Sequence, residues 1–86
     1  MAVIVLWEHA NYGGQAALYR NSVPEFHARW EQRSFSSLVV VSGTWSLWEG
    51  KDYSGNSLPV HANDEILDLG QFNFNDRTMS LRLDAE

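Results

Sequence analysis

The chain has 86 residues, a formal net charge of −5, no cysteine, and four tryptophans, four phenylalanines and three tyrosines. That length suits one small domain with a modest core, which large aromatic rings can fill, and the missing cysteine excludes disulfides and thiolate metal sites. The acidic balance makes nucleic acid and anionic lipid poor partners and suits a cation.

Taken in chain order, the predicted elements are β. Residues 3–7 form a run of mostly β-branched and aromatic residues and predict a strand. Asn11-Tyr12-Gly13-Gly14 is turn chemistry. Residues 24–30 are ambiguous between loop and short helix. Residues 36–41 predict a second strand, and Gly43 follows too closely to belong to a flexible linker. Residues 44–48 predict another strand, followed by the turn Tyr53-Ser54-Gly55-Asn56. Residues 63–69 are again ambiguous; for a short helix there, Asn63 is the candidate N-cap and Gly70 the stop. Residues 79–83 predict the last strand. Several short strands separated by regular turns suggest a sandwich or barrel. No apolar run approaches the ~20 residues of a membrane span. The opening Met1 to Glu8 has no basic region before it and no cleavage site after it, so it is not read as a signal peptide.

An internal repeat is the strongest feature. Leu6-Trp7-Glu8 recurs as Leu47-Trp48-Glu49, and in the same register Tyr12 recurs as Tyr53 and Gly14 as Gly55. Ser37-Leu38 recurs as Ser80-Leu81, two residues further out of register. The chain is therefore expected to be one domain, 1–86, of two motifs: about 1–42 and about 43–86.

Trp-Glu-x-x-x-Tyr-x-Gly in each half resembles the folded hairpin of the βγ-crystallins. Asn75-Asp76-Arg77-Thr78-Met79-Ser80 is similar to that family's second signature, N/D-N/D-x-x-S/T-S, and Gln32-Arg33-Ser34-Phe35-Ser36-Ser37 is its counterpart in the first half. The resemblance covers essentially the whole chain and implies an all-β sandwich of two Greek-key motifs. A lone domain of this kind is similar to the microbial members more than to the paired domains of lens proteins. Gly14 and Gly55 are expected where the backbone needs positive φ or close approach, and Trp7 and Trp48 are expected to lie across their hairpins against Tyr12 and Tyr53.

The resemblance also implies calcium binding, at two sites shared between the motifs. In each, the second signature residue of one motif faces the fifth-position hydroxyl of the other, joined by backbone carbonyls. Calcium takes roughly six to eight oxygen ligands, so carboxylate, hydroxyl, carbonyl and water together suit it. Carried over, one site has Asp76, Ser36 and the backbone carbonyls of Glu8 and Ser34, and has the required ligand types. The other has Arg33 and Met79: a positive charge and a soft thioether that calcium does not favour. That site is expected to be dead, with Arg33 partly neutralising the local field through Glu31 or Glu49. One Ca2+ per chain is predicted, bound with micromolar to millimolar affinity and stabilising the fold.

Strand alternation supports a further expectation. If Ile4, Leu6, Leu38 and Val40 face the core, Val3, Val5, Val39 and Val41 face out. Their counterparts are Thr44, Ser46, Arg82 and Asp84. Scattered exposed apolar residues are ordinary, but a contiguous patch marks a contact, and a homodimer through this face is one reading.

His9, His27 and His61 have no metal-site spacing. Asp64, Glu65 and Asp68 read as a solvated loop or the acidic first turn of a short helix. No catalytic constellation or phosphate loop is present, so an enzyme is not expected. Trp45 falls on the core-facing phase. Trp30 reads as packing ahead of a sugar-binding platform. Two alternatives to a calcium-binding module remain: a structural or self-associating domain with vestigial calcium binding, and a small proteinase inhibitor or toxin. No inhibitory loop is identifiable, and the lack of cysteine weakens the latter.

Overall fold

In a computed structural model covering Met1–Glu86, the fold is two packed antiparallel sheets with no α-helix. The seven strands are β1 (Val3–His9), β2 (Gly13–Tyr19), β3 (Ser37–Ser42), β4 (Thr44–Gly50), β5 (Ser54–Val60), β6 (Glu65–Ile66) and β7 (Ser80–Ala85). One sheet runs β2-β1-β3-β6 and the other β5-β4-β7. The halves interlock. β6, from the second half, pairs with β3 through Leu38↔Ile66. Its counterpart in the first half is the isolated bridge Val23↔Leu81, on the outer side of β7. Each half thus supplies the fourth position of the other's sheet, as Greek-key crossing requires.

Alternation along the strands makes the core. Ile4, Leu6, Leu38 and Val40 from one sheet meet Trp45, Leu47, Val60 and Leu81 from the other, all inaccessible or nearly so. Trp45 is the largest fully buried side chain, and its indole N–H donates to the Ser42 carbonyl at 3.0 Å, which removes the cost of burying that polar group. An aromatic chain closes one end of the core. Tyr19 packs on Phe26, Phe26 meets Phe35 edge-on at 5.2 Å, and Phe35 meets Trp30 edge-on at 5.8 Å. Trp30 is half-buried against the core, which accounts for its ring as packing.

The two ambiguous stretches hold no α-helix. Residues Arg29–Glu31 and Leu69–Phe72 form single 3-10 turns. The acidic first turn considered for Asp64, Glu65 and Asp68 does not form. Glu65 is in β6, opposite Val39. Asp64 accepts the His61 N–H, and Asp68, rather than Asn63, is the N-cap of the later turn. Tertiary pairing of β6 outcompetes the weak local helix signal. No helix is long and apolar enough to cross a membrane.

Candidate functional site

The site starts from the two hairpins. In each, the strand bulges at the glutamate: the β1–β2 register shifts between Trp7 and His9, and the β4–β5 register between Trp48 and Gly50. Glu8 and Glu49 therefore lie off the ladders. The chain then turns through left-handed residues, Asn11, Tyr12 and Gly14 (φ 58°, 60° and 76°) and Asp52, Tyr53 and Gly55 (φ 54°, 60° and 80°). A Cβ on Gly14 would come within 2.7 Å of the His9 ring, so positive φ and close approach both favour glycine there.

A fully buried serine holds each turn. Ser37 Oγ accepts the Tyr12 N–H at 3.1 Å and donates to the His9 carbonyl at 2.7 Å. Ser80 Oγ does the same for Tyr53 N–H, at 3.1 Å, and the Gly50 carbonyl, at 2.6 Å. The last residue of each signature is thus the fastener of its hairpin. Trp7 packs on Tyr12 with ring centroids 4.8 Å apart. Trp48 finds a different partner: the Arg82 guanidinium lies over its ring at 5.0 Å, and its N–H donates to Ser46 Oγ.

The two signature loops meet around a pseudo-two-fold axis. Asp76 N–H donates to the Phe35 carbonyl at 3.1 Å, and Arg33 N–H to the Thr78 carbonyl at 3.0 Å. Both second-position residues are left-handed, Arg33 at φ 55° and Asp76 at φ 56°. Asn and Asp tolerate that region better than other non-glycine residues, so backbone geometry as well as ligand chemistry explains the residue types of the signature.

Across the axis, Ser36 Oγ lies 3.2 Å from Asp76 Oδ1, in hydrogen-bond contact. Both line an open polar cleft of about 530 Å³ with Glu8, Ser34, Asp68 and Asn75, and His9, Ala10 and Arg33 complete its lining. Asp76, Ser36, Glu8 and Ser34, expected to act together, are thus brought to one cleft. Asn75 Nδ2 donates to Asp76 Oδ2 at 3.2 Å and orients the carboxylate. Ser34 lies outside every strand, and its carbonyl accepts no backbone hydrogen bond. No three histidine, aspartate or glutamate side chains converge closely enough to hold a metal by themselves; a site here depends on hydroxyl, carbonyl and water oxygens.

The related cleft on the other side is lined by Arg33, Glu49, Asp76 and Arg77. Met79 is buried, its side chain packed away from solvent. Arg33 forms no ion pair with Glu31 or Glu49, so the expected neutralisation of the field through them does not arise by direct contact. Glu49 pairs with Arg77 at 3.2 Å, and Glu31 accepts the Tyr19 hydroxyl. Arg77 sits one residue along from Asp76 and reaches Glu49 first. Burial, and then the hydrogen bond to the Glu31 carboxylate, hold the Tyr19 phenol well above its usual pKa.

On the outer face of the first sheet, Leu18, Val5 and Val39 stand side by side across β2, β1 and β3. Val3, Val5 and Val39 are half-buried, while Val41 and Leu18 are 54% and 52% exposed. The matching pair on the second sheet is Ser46 opposite Arg82.

A family model described as beta/gamma crystallin matches residues 3–83. The chain is 32% identical over 57 residues to a beta/gamma-crystallin of Ciona intestinalis, covering 66% of this chain and 68% of that protein. It is 34% identical over 70 residues to beta-crystallin B2 of Canis lupus familiaris, covering 80% of this chain and 34% of that protein. It is 29% identical over 83 residues to an epidermal differentiation-specific protein of Cynops pyrrhogaster, covering 96% of this chain. The chain spans about a third and a quarter of the lengths of these last two. A Ciona beta gamma crystallin structure superposes with a TM-score of 0.86 at 25% identity, covering 95% of this chain and 99% of that one. An archaeal betagamma-crystallin gives 0.85 at 24% identity, covering 95% and 96%. The relatives span animals and an archaeon, so they do not single out a microbial origin.

Proposed function

The chain belongs to the beta/gamma crystallin family, and from that premise we propose that it is a calcium-binding module with one working site, held by Asp76, Ser36 and the backbone carbonyls of Glu8 and Ser34. The observation that carries this reading is the Asp76 carboxylate set against the Ser36 hydroxyl from the other half of the chain, in a polar cleft. The donors are hard oxygens of the kinds calcium takes. The chain's net charge of −5 favours a cation. When bound, the ion would supply a crosslink between the two halves, with water completing its shell. The opposite cleft has Arg33 in the carboxylate position and Met79 in the hydroxyl position, and its Glu49 is already paired with Arg77.

Few carboxylates converge, so binding is weak, on the order of micromolar to millimolar. Ligand present at ~100-fold excess over its dissociation constant stabilises the fold by ~2.7 kcal/mol. For a domain of this size that raises Tm by about 10–20 °C. Isothermal calorimetry on chelator-stripped protein tests the reading: one calcium per chain is expected, lost in Asp76→Ala. No heat together with an unchanged Tm at saturating calcium would refute it.

A second reading, compatible with the first, is self-association through the outer face of the first sheet. The Leu18-Val5-Val39 row supports it. So does charge: exposed Arg20 lies just past the end of β2, two residues after Leu18, and Glu65 pairs opposite Val39 on the β6 edge. A two-fold axis parallel to the strands would set each Arg20 edge over the other copy's Glu65 edge. Sedimentation of the unmutated protein should show a dimer, and the double variant Val5→Asp, Val41→Asp a folded monomer; an unmutated monomer at high concentration removes the idea.

A further inference from the structure

The pseudo-two-fold axis allows the two clefts to be compared contact by contact. Near the first, Asn11 N–H donates to the Leu67 carbonyl at 2.8 Å and Leu69 N–H to the Ser36 carbonyl at 2.7 Å. Asp68 is held between these two bonds, beside Ser36 and beside the turn that carries Ala10. Near the second, Asp52 N–H donates to the Pro24 carbonyl at 2.8 Å and Phe26 N–H to the Met79 carbonyl at 3.1 Å. Glu25 is held between those, beside Met79 and beside the turn that carries Lys51. Asp68, Ala10 and Ser36 thus correspond to Glu25, Lys51 and Met79.

The correspondence exposes a difference in charge. Lys51 Nζ lies 3.2 Å from Glu25 Oε2, and Arg77 lies 3.2 Å from Glu49. Glu25 and Glu49, the counterparts of Asp68 and Glu8, therefore each carry an internal cation. In the first cleft Ala10 stands where Lys51 would be; Arg33 and His9 also line that cleft, but neither forms an ion pair with Asp68, and His9 lies against Glu8 instead. One Asp68 oxygen caps the following turn, accepting the Gly70 N–H at 2.8 Å; the carboxylate still lines the cleft with Asp76, Ser36, Glu8 and Ser34.

We propose that Asp68 is a further carboxylate of the cation site, setting its affinity, and that Ala10 leaves it free where Lys51 neutralises its counterpart. This rests on the calcium reading above. Because no three acidic or histidine side chains converge there, Asp68 acts on the ion through a bridging water or through its field, and is a positioning and affinity-setting residue. Lysine compensates the charge of Glu25, whereas at Asp68 that compensation is left to a bound ion.

The test is calcium calorimetry at ~0.15 M salt, where remote charges are screened beyond ~8 Å, on chelator-stripped protein. Asp68→Asn keeps a good N-cap oxygen and removes only the charge; its dissociation constant should rise about 3- to 10-fold, with the calcium-free Tm unchanged. Ala10→Lys, which should pair with Asp68 as Lys51 pairs with Glu25, should weaken binding similarly. Glu25→Gln, the matched charge removal at the other cleft, should stay within about two-fold of the unmutated protein. If Asp68→Asn binds within two-fold of the unmutated protein while Asp76→Ala does not bind, the role of Asp68 is refuted and the calcium reading stands. If Ala10→Lys binds normally, the part assigned to Ala10 is refuted. If the unmutated protein takes up no calcium, the calcium reading falls and this proposal with it.

Discussion

Ser37→Ala and Ser80→Ala form a matched pair of perturbations. Each removes one fully buried hydroxyl that fastens a hairpin by one accepted and one donated hydrogen bond. A hydrogen bond contributes roughly 0.5–1.5 kcal/mol net, and a buried group left without a partner costs roughly 1–3 kcal/mol. Alanine fills nearly the same space and strands an N–H and a carbonyl in each hairpin. Each variant should therefore lose about 2–4 kcal/mol of the ~5–15 kcal/mol typical of a domain. In Tm that is a fall of about 10–25 °C. Guanidinium unfolding in chelator, with the slope unchanged, measures it directly. The two variants should differ once calcium is added. Ser37 holds the hairpin that carries Glu8, so Ser37→Ala should also weaken calcium binding; Ser80 holds the hairpin of the other cleft, and Ser80→Ala should not. A loss below about 0.5 kcal/mol in either variant would refute the fastener role.

Gly43 sits at φ 88°, and a Cβ there would lie 2.8 Å from Ala2 Cβ and 3.1 Å from the Ala85 carbonyl oxygen. Gly43→Ala should cost roughly 2–4 kcal/mol by chemical denaturation, more than Gly55→Ala, whose Cβ meets nothing nearer than 3.5 Å. Tyr19 has a pKa raised by burial and by Glu31. Its stabilising contribution is complete below the unfolded-state value near ~10 and falls as pH rises above it, because only the unfolded chain then releases the proton. Tyr19→Phe should lower stability at neutral pH and flatten its decline above pH ~10, read from thermal melts across pH. Thr78 Oγ1 is buried without a hydrogen-bond partner. Thr78→Val should therefore be neutral or raise stability by up to about 1 kcal/mol, and a loss above about 1 kcal/mol in equilibrium unfolding would refute that.

Much of the fold was legible in the sequence because the repeat encodes it locally. The bulge glutamates, the left-handed turn residues, and Gly14 and Gly55 act within their own hairpins, so their spacing survives in the linear chain; Ser37 and Ser80 reach those hairpins from β3 and β7 and show in the sequence only as a second repeat. Alternation likewise assigned Ile4, Leu6, Leu38 and Val40 to the core, where they are fully buried, and left Val5 and Val39 to meet on the outer face. β2 and β5 gave no comparable signal, since edge strands bury little and need no apolar alternation. β6 looked locally like a possible helix start, and only pairing with β3 makes it a strand.

The charges around the clefts were decided by tertiary structure alone. The resemblance to the family's signature is what paired Asp76 with Ser36 and Arg33 with Met79, and residue chemistry then marked the second pair as a mismatch. That Glu49 takes Arg77 rather than Arg33, that Lys51 meets Glu25, and that Asp68 lines the first cleft with no such partner depend on the two halves crossing over. Short-range backbone preferences leave a periodic trace in sequence, whereas long charged side chains pair with whatever the fold brings within a few ångströms, and that distance exists only in the packed molecule.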